Sequence, residues 1–220
     1  MLNEYQKKSA AAVERLSAIR IIPVLVLNSV EKGLRICELL ERCGLPAAEI
    51  TFRTKEAECI IREASKRFPG LFLGAGTILN TDDLHRAFDA GARFAVAPGF
   101  NPKVLREAID HALPFSPGVC TPSEIEQAYD LGCTFLKFFP AEAAGGTAML
   151  KSMSAPYKHL GIRFMPTGGV TSANAAEYLA IREVAAVGGT WLGKAADLEA
   201  GRWDVIESSI RGAVEIAAGN

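Results

Sequence analysis

Eight short apolar segments alternate with longer amphipathic segments along the chain, and this alternation constrains the fold more than any other feature of the sequence. The apolar segments have the length of β-strands and span residues 21–27, 48–52, 71–75, 94–97, 113–116, 135–138, 163–166 and 184–187. The segments predicted as helices span residues 30–42, 55–67, 82–89, 102–111, 122–131, 147–153, 173–180 and 203–217. Strands this apolar cannot face water, which predicts a parallel sheet covered by helices.

Eight strand–helix units are the number that closes a TIM (β/α)8 barrel, and an open doubly wound sheet is the alternative. The 220 residues contain no linker, low-complexity tract or block of charge. Residues 1–220 are therefore predicted to form a single α/β barrel domain. Residues 3–17 form an extra N-terminal helix, which we expect to plug or flank the bottom of the barrel.

Signals for helix ends support this division of the chain. Asn101 and Thr121 each precede a proline, as an N-cap residue precedes a proline at the first helical position. Thr81 is predicted to cap a helix whose first turn contains two aspartates. Three helices are predicted to end at a glycine in the left-handed conformation, namely Gly44, Gly91 and Gly132.

The charge distribution excludes several classes of partner. The net charge is −1 at pH 7 and no basic cluster appears, which argues against binding to nucleic acid or to an anionic membrane surface. Residues 1–20 lack an apolar signal region, and no apolar run approaches the length of a membrane span. The five scattered cysteines lack a C-x-x-C motif, so we expect buried free thiols in a cytoplasmic protein.

Local motifs predict no metal site and no cofactor. The three histidines, His85, His111 and His159, lie on helix-like or loop segments without H-x-H or H-x-x-x-H spacing. The sequence contains neither a P-loop nor a Rossmann fingerprint. Any chemistry is therefore expected to come from the side chains of the protein itself.

Lys137 is the one charged residue in the apolar segment 135–138. An ammonium group in such surroundings costs on the order of several kcal/mol unless it is paired or loses its proton. A neutral lysine is a nucleophile for carbonyl carbons. The alternative is a lysine at a strand end whose amine reaches water. The strand pattern by itself leaves both interpretations open.

Polar residues at other strand ends point to the same region, because the carboxyl ends of barrel strands carry the chemistry. Alternation places Glu49, Thr51 and Arg53 on one face of the second predicted strand, and we expect this face to point into the barrel. A Glu–Arg ion pair or a strand-end charge in solvent is the alternative. Thr77 follows the third predicted strand, beside glycines that let a ligand approach the backbone.

Paired glycines follow the seventh and eighth predicted strands, as Gly168-Gly169 and Gly188-Gly189-Thr190. In a TIM barrel these two strand ends often form a phosphate site, where backbone N–H groups and a helix N-terminus face the anion. One such pair is a weak signal, but two on adjacent strands predict a phosphorylated ligand.

Together these residues resemble the family of 2-keto-3-deoxy-6-phosphogluconate (KDPG) and 4-hydroxy-2-oxoglutarate (KHG) aldolases, which are class I, Schiff-base aldolases. The resemblance extends over nearly the whole chain, from residue 22 to residue 192. Its most specific parts are E-I-T-F-R-T at 49–54, G-A-G-T-I-L-N at 74–80, K-F-F-P-A-E at 137–142 and P-T-G-G at 166–169.

The resemblance implies roles for the residues at the keto-acid end of a substrate. Lys137 would form the Schiff base, and Glu49 would be the general acid/base. Arg53 and Thr77 would hold the carboxylate of the pyruvyl group. Phe139 would form a wall of the pyruvyl pocket.

The resemblance also implies how the rest of the substrate is bound. Thr167 matches a position tied to stereochemical preference. The positions implied at the phosphate end are Gly168, Gly169, Gly188, Gly189 and Thr190. The implied partners are a keto-acid sugar phosphate and two further copies of the chain in a homotrimer, with no cofactor and no metal.

The implied reaction is retro-aldol cleavage of KDPG to pyruvate and glyceraldehyde 3-phosphate, with KHG cleavage as a second activity. An aldolase for the galactonate epimer is the nearest alternative. A phosphate-binding barrel isomerase or synthase would share the paired glycines without needing a buried lysine. A non-catalytic sugar-phosphate binder would form no covalent adduct.

Overall fold

The computed structural model describes residues 2–219. Its strands are β1 (Ile21–Leu25), β2 (Ala47–Thr51), β3 (Phe72–Gly76), β4 (Phe94–Val96), β5 (Phe115–Ser116), β6 (Gly118–Val119), β7 (Phe135–Phe138), β8 (Arg163–Phe164) and β9 (Val187–Gly189). Its α-helices are α1 (Leu2–Ile19), α2 (Val30–Arg42), α3 (Ala57–Arg67), α4 (Thr81–Asp89), α5 (Pro102–Asp110), α6 (Pro122–Asp130), α7 (Gly146–Ser154), α8 (Ala175–Leu179), α9 (Ala195–Ala200) and α10 (Trp203–Ala218). Two 3₁₀ turns span Ala155–Leu160 and Trp191–Gly193. None of the helices in this part of the chain has the length and apolar character needed to cross a membrane.

All strand pairs are parallel, and the strands form two sheets that curl around a shared interior. One sheet has the order β5-β4-β3-β2-β1-β9, and the other has the order β6-β7-β8. Only Pro117, which lacks the N–H that a ladder needs, separates β5 from β6. Beyond β8, isolated parallel bridges join Phe164 to Val184 and Thr167 to Gly188. The predicted α/β architecture with parallel strands is confirmed.

The inward-pointing side chains at the amino ends of the strands form a compact apolar cluster. Phe72 and Phe94, the first residues of β3 and β4, stack with their ring centroids 5.2 Å apart. Phe135, the first residue of β7, belongs to the same cluster. A second and larger cluster lies between the strands and the helices, and it includes Leu136 and Phe138 from the opposite face of β7. The interior is therefore filled with apolar side chains below the level of Lys137.

Helix α1 covers the amino end of the strands. Ala12 and Leu16 join the interior cluster, and Leu16 is fully buried. Tyr5 donates a hydrogen bond from its hydroxyl to the carbonyl oxygen of Phe115, at 3.3 Å. Burial raises the pKa of the Tyr5 phenol well above its usual value, so the hydroxyl remains a donor. The extra N-terminal helix expected from the sequence thus closes one end of the interior.

All five cysteines are free thiols, as the sequence predicts. Cys37 and Cys133 are buried, and burial raises their pKa values to about 12 and about 11, respectively. Thiols with such high pKa values are poor nucleophiles at neutral pH. The expectation of buried thiols is wrong for Cys59, which is exposed on α3.

The predicted helix ends are largely confirmed. The side chain of Asn101 accepts a hydrogen bond from the backbone N–H of Lys103, and Thr121 forms a reciprocal capping box with Glu124. The N-cap of α4 is Asn80 rather than Thr81, because the amide oxygen of Asn80 accepts from the third helical residue. The predicted glycine positions Gly44, Gly91 and Gly132 all have positive φ.

The last predicted strand differs from the observed one. The sequence places it at residues 184–187, whereas β9 covers Val187–Gly189. Pairing with β1 sets this register, in which Ile22 lies opposite Gly188 and Pro23 lies opposite Gly189. The glycines that were expected to follow the strand therefore form part of it. The short helix α9 was also missed, because six residues show too little periodicity.

Gly118 provides a test of how closely the strands approach the loop after β4. A Cβ atom at this position would lie 2.1 Å from the carbonyl oxygen of Pro98, and backbone cannot move aside as a flexible side chain can. We expect Gly118→Ala to lower the free energy of unfolding by about 1–3 kcal/mol or more, measured by urea denaturation. Gly212→Ala is the matched control. Within residues 2–219, no atom outside the neighbouring residues and the backbone of the helix itself lies within 4 Å of a Cβ at this position of α10, and the control should gain about 0.5–1 kcal/mol. Equal effects of the two substitutions would contradict the close approach.

Candidate active site

Lys137 and Glu49 meet inside the curl of strands. Lys137 is the third residue of β7, and Glu49 is the third residue of β2 in the other sheet. The amine nitrogen of Lys137 lies 3.1 Å from Oε1 and 3.2 Å from Oε2 of Glu49. Lys137 is 5% exposed and Glu49 is 1% exposed. The lysine that the sequence singled out is therefore buried, and its amine contacts a carboxylate rather than bulk water.

This pair satisfies two groups that would be costly to bury alone. Removing a single ammonium or carboxylate from water costs several kcal/mol, and the attraction between the two offsets this cost only with good geometry and hydrogen bonds. The ammonium donates to both carboxylate oxygens, which makes the contact a charge-assisted one. A carboxylate at this distance is also within reach for transferring a proton to or from the amine.

Gly76 provides the space that the Glu49 carboxylate occupies. A Cβ atom on Gly76, the last residue of β3, would lie 2.2 Å from Oε1 of Glu49. Any side chain at this position would therefore displace the carboxylate from the amine. The glycine-rich sequence at the end of β3 thus has a packing explanation next to the reactive pair.

Thr77 and Arg53 follow the ends of β3 and β2, respectively, and contact each other. The guanidinium Nε of Arg53 donates to the hydroxyl of Thr77 at 3.2 Å. Thr77 has a φ of +60°, which is rare for a β-branched residue and costs on the order of 1–3 kcal/mol. Strain of this kind persists where the surroundings fix the conformation, and it is common at functional sites.

The predicted inward-facing trio on the second strand is only partly realised. Glu49 and Thr51 point inward and are buried, and the hydroxyl of Thr51 donates to the carbonyl oxygen of Leu25 at 3.1 Å. Arg53 lies beyond the end of β2 and is exposed. Thr51 therefore ties two strands together, whereas Arg53 stands at the rim of the site.

Phe139 follows β7 and stands above the amine. The amine nitrogen of Lys137 is 5.8 Å from the centroid of the half-buried Phe139 ring. A Cβ atom on Gly168 would lie 3.1 Å from this ring, so the Gly168 backbone packs closely against it. Lys137 thus has Phe135 on one side along β7, in the apolar cluster, and Phe139 on the other.

Thr167 has a buried hydroxyl close to the strand β9. Thr167 is 4% exposed, and within residues 2–219 its Oγ1 atom has no hydrogen-bond partner. A Cβ atom on Gly188 would lie 2.4 Å from this oxygen. The N–H of Gly188 donates to the carbonyl oxygen of Pro166 at 2.9 Å, so that amide is used in the backbone network. Gly188 thus makes room for the threonine hydroxyl.

The other glycines of the two pairs have different surroundings. Gly168 and Gly169 have φ values of +96° and +82°, which are accessible to glycine, and Gly169 is exposed. Gly189 is buried in β9, where a Cβ atom would collide with the ring of Trp191. Thr190 follows β9 and is exposed. Three members of the predicted phosphate set, Gly168, Gly169 and Thr190, therefore lie at the rim.

Glu142, in the loop after β7, contacts both α8 and the loop after β8, and sequence reasoning assigned a role to neither Glu142 nor its partner Tyr178 on α8. The buried Tyr178 hydroxyl donates to the Glu142 carboxylate. Burial, followed by this hydrogen bond, raises the pKa of Tyr178 far above its usual value, so the phenol remains a donor. The backbone N–H of Glu142 donates to the carbonyl oxygen of Gly168 at 3.0 Å. Glu142 belongs to the K-F-F-P-A-E motif, but no local pattern distinguishes Tyr178 from a core residue.

The buried pair predicts strong coupling between Lys137 and Glu49 in a double-mutant cycle. Lys137→Met or Glu49→Leu alone should each lower the free energy of unfolding by about 3–5 kcal/mol, because each leaves one buried charge without its partner. The double variant should lose much less than the sum of the two. Lys8 and Glu4 form the control, since their pair at 3.1 Å is 52% and 66% exposed and should contribute less than about 1 kcal/mol. Additive losses at Lys137 and Glu49 in urea denaturation would contradict the buried pair.

The chain is similar to KDPG aldolases both in its sequence and in its structure. It is 41% identical over 188 residues to a 2-dehydro-3-deoxy-phosphogluconate aldolase from Treponema pallidum, an alignment that covers 86% of this chain and 89% of the relative. The crystal structure of the KDPG aldolase from Zymomonas mobilis with 3-phosphoglycerate superposes with a TM-score of 0.84 at 34% identity, covering 92% of this chain and 94% of that one.

A second solved structure has a covalent intermediate in its site. The KDPG aldolase of Legionella pneumophila, with pyruvate captured at low pH as a covalent carbinolamine, superposes with a TM-score of 0.86 at 34% identity, covering 91% of this chain and 97% of that one. The sequence model of the KDPG and KHG aldolases matches residues 13–209. With the buried amine–carboxylate pair at its centre, the chain belongs to the KDPG and KHG aldolase family, whose members are carbon–carbon lyases.

Proposed function

We propose that this chain is a class I aldolase that cleaves KDPG to pyruvate and glyceraldehyde 3-phosphate, with KHG as a second substrate. The observation that carries the proposal is the buried amine of Lys137 within 3.2 Å of both oxygens of Glu49. In this assignment Lys137 is the nucleophile and Glu49 is the general acid/base. The reaction requires no cofactor beyond these side chains.

The first half of the reaction forms the imine. A proton passes from the ammonium of Lys137 to the carboxylate of Glu49, and the neutral amine attacks the C2 ketone of the substrate. The resulting carbinolamine takes up a proton at its hydroxyl group and loses water, which leaves a protonated imine between C2 and the lysine nitrogen. The relative from Legionella pneumophila was captured with pyruvate at the carbinolamine stage.

The second half breaks the carbon–carbon bond. The positive imine withdraws electrons from C3, so the C3–C4 bond breaks as Glu49 removes the proton of the C4 hydroxyl, directly or through a water. The C4 carbon leaves as the aldehyde of glyceraldehyde 3-phosphate. Glu49 then returns a proton to C3 of the enamine, and water hydrolyses the imine to give pyruvate and free Lys137.

Arg53 and Thr77 are proposed to bind the carboxylate of the pyruvyl group. The Arg53 guanidinium can hold a carboxylate with two parallel hydrogen bonds, which a lysine could not do. The strained Thr77 follows Gly76, whose backbone borders the Glu49 carboxylate. This arrangement supports binding of the carboxylate beside the reactive pair. Phe139, at 5.8 Å from the amine, is proposed as the wall of the pyruvyl pocket.

The loop residues Gly168, Gly169 and Thr190 are proposed to bind the phosphate. Positive φ values at both glycines allow successive N–H groups to face an anion. The relative from Zymomonas mobilis was solved with the phosphorylated ligand 3-phosphoglycerate. Gly188 and Gly189 are proposed to contribute to this end of the site by shaping β9, because Gly188 packs against the Thr167 hydroxyl and Gly189 packs against the Trp191 ring.

Thr167 is proposed to contact the middle of the substrate and to influence its stereochemical preference. A buried hydroxyl costs about 1–3 kcal/mol when it has no partner, and a hydroxyl group of the substrate would supply one. Among the described residues the Thr167 Oγ1 atom has no such partner. This position between the amine and the phosphate loops suits the C4 region of the substrate.

We also propose that the two sheets are parts of one closed TIM (β/α)8 barrel in a single domain of residues 1–220. The continuity of β5 with β6 and the bridges from Phe164 and Thr167 toward β9 support closure at both junctions. The resemblance to the family supports a homotrimer, and the free thiols support a location in the cytoplasm. Gel filtration with light scattering would test the trimer directly.

Trapping with pyruvate tests the Schiff base. The wild-type protein, incubated with pyruvate and reduced with borohydride, should gain the mass of one reduced pyruvyl group, which peptide mapping should locate at Lys137. Lys137→Met should gain none, and Lys158→Met should react as the wild type does because that lysine is 60% exposed on the surface. A folded wild-type protein that gains no mass, or gains it at another lysine, would refute the class I mechanism.

Glu49→Gln tests the acid/base role. The amide keeps the size of the side chain and still accepts a hydrogen bond from Lys137, but it cannot transfer a proton. We expect turnover of KDPG to fall by about 10²–10⁴-fold, and the exchange of pyruvate methyl protons with deuterium, followed by NMR, to slow to a similar extent. The affinity for pyruvate should change much less. Glu4→Gln, at an exposed position, is the control. Turnover that survives Glu49→Gln would assign the proton transfers to another group.

A further inference from the structure

Two histidines and a glutamate from neighbouring helices meet on the outer side of the sheet. His85 lies on α4, Glu107 lies on α5, and His111 is the C-cap of α5. Nε2 of His85 is 2.7 Å from Oε1 of Glu107, and Nδ1 of His111 is 3.5 Å from the same oxygen. The three side chains are 44%, 32% and 34% exposed in the order His85, Glu107, His111. The site is therefore open to solvent and is separate from the buried pair at the centre of the strands.

The donor atoms of the three residues lie close enough together to reach one transition-metal ion. One ligand atom from each residue lies within 4.8 Å of the other two. Zinc bound by imidazole and carboxylate has bonds of about 2.0–2.2 Å, so tetrahedral donors lie about 3.3–3.5 Å apart. Small side-chain rotations would bring all three donors to that separation. Two nitrogens and one oxygen form a set that suits Zn²⁺ and its neighbours better than Ca²⁺ or Mg²⁺, which prefer oxygen alone.

We propose that His85, Glu107 and His111 bind one divalent transition-metal ion, with Zn²⁺ as the natural candidate. Three protein ligands leave the fourth tetrahedral position to a water molecule. Because the ligands come from α4 and α5, the ion joins the two helices. This role does not depend on the aldolase reaction, and the site adds to the proposed function rather than forming part of it.

The ligands are already held in place without the ion. Glu107 and His111 are four residues apart and lie on one side of α5, where helical geometry brings such pairs together. Nδ1 of His111 is also 3.0 Å from the backbone carbonyl oxygen of Glu107, a contact that orients the ring and that an ion bound at Nδ1 would replace. The His85 and His111 rings are 4.9 Å apart, and Phe88 packs edge-on against His111. Preorganised ligands lose less conformational entropy when the ion binds.

The competing interpretation is a hydrogen-bonded His–Glu–His cluster that binds no ion. In that case protons occupy the ring nitrogens that a metal would need, since a histidine ligand must be unprotonated at the coordinating atom. The two interpretations make different predictions for metal affinity, for stability in the presence of metal, and for the spectrum of a coloured substitute ion.

Titration of untagged, EDTA-treated full-length protein with Zn²⁺, in competition with a chelating dye, tests the proposal. We expect one ion per chain in the wild type, and weaker binding by roughly tenfold or more in His85→Gln and in Glu107→Gln, each of which removes one ligand. His159→Gln is the matched control, since this third histidine lies on the Ala155–Leu160 turn outside the cluster. Zn²⁺ should raise the midpoint of thermal unfolding of the wild type and of His159→Gln, but not that of His85→Gln.

Co²⁺ distinguishes the cluster from the free thiols. Binding to nitrogen and oxygen ligands should give visible bands without the near-ultraviolet charge-transfer band of a thiolate, so binding at exposed Cys59 would be recognised. Affinity that is unchanged in both His85→Gln and Glu107→Gln, a thiolate band in the wild type, or no bound ion at all would each overturn the proposal. Pyruvate trapping at Lys137 in the same samples reports separately on the aldolase assignment.

Discussion

The ion pair between Lys137 and Glu49 is the interaction on which the rest of the site depends. Both groups are almost completely buried, so the fold must keep them in contact. Displacing either one would leave the other buried without a partner. The pair also links β7 of the three-stranded sheet to β2 of the six-stranded sheet. The contact to which the proposed function assigns the chemistry is therefore also a tertiary contact of the fold.

The space for this pair comes from small residues at inward positions. Below the pair, Phe72, Phe94 and Phe135 fill the interior, and α1 closes it. At the level of the pair, Gly76 leaves room for the Glu49 carboxylate, and Gly188 leaves room for the Thr167 hydroxyl. The change from aromatic residues to glycines along the strands leaves room for polar side chains above an apolar base. A larger side chain at either glycine would collide with the Glu49 carboxylate or the Thr167 hydroxyl.

The fold class and the central lysine were predictable because both depend on local patterns in the sequence. The alternation of apolar and amphipathic segments gave the parallel α/β architecture, and a lone lysine in an apolar strand identified the central residue of the site. Features set by tertiary contacts were not predictable in this way. No local pattern indicates the positive φ of Thr77, and Tyr178 looks like an ordinary core residue. The strand β9 includes two glycines because pairing with β1 sets its register. His85 and His111 come together only through the packing of α4 on α5.

The gradient of burial across the site gives the substrate an orientation under the proposed function. The amine and carboxylate are closed off from solvent, whereas Arg53, Gly169 and Thr190 lie exposed at the rim. The reacting carbon of a keto acid must be desolvated before the amine attacks it. Binding a phosphate costs less free energy where the phosphate keeps part of its hydration. Glu142, in the loop after β7, accepts a hydrogen bond from Tyr178 of α8 and donates its backbone N–H to the carbonyl oxygen of Gly168 in the loop after β8, so one hydrogen-bonded unit links the positions of Phe139 and Gly168. Under the proposed function, this link would set the distance between the rim, where the phosphate binds, and the buried amine, where C2 reacts.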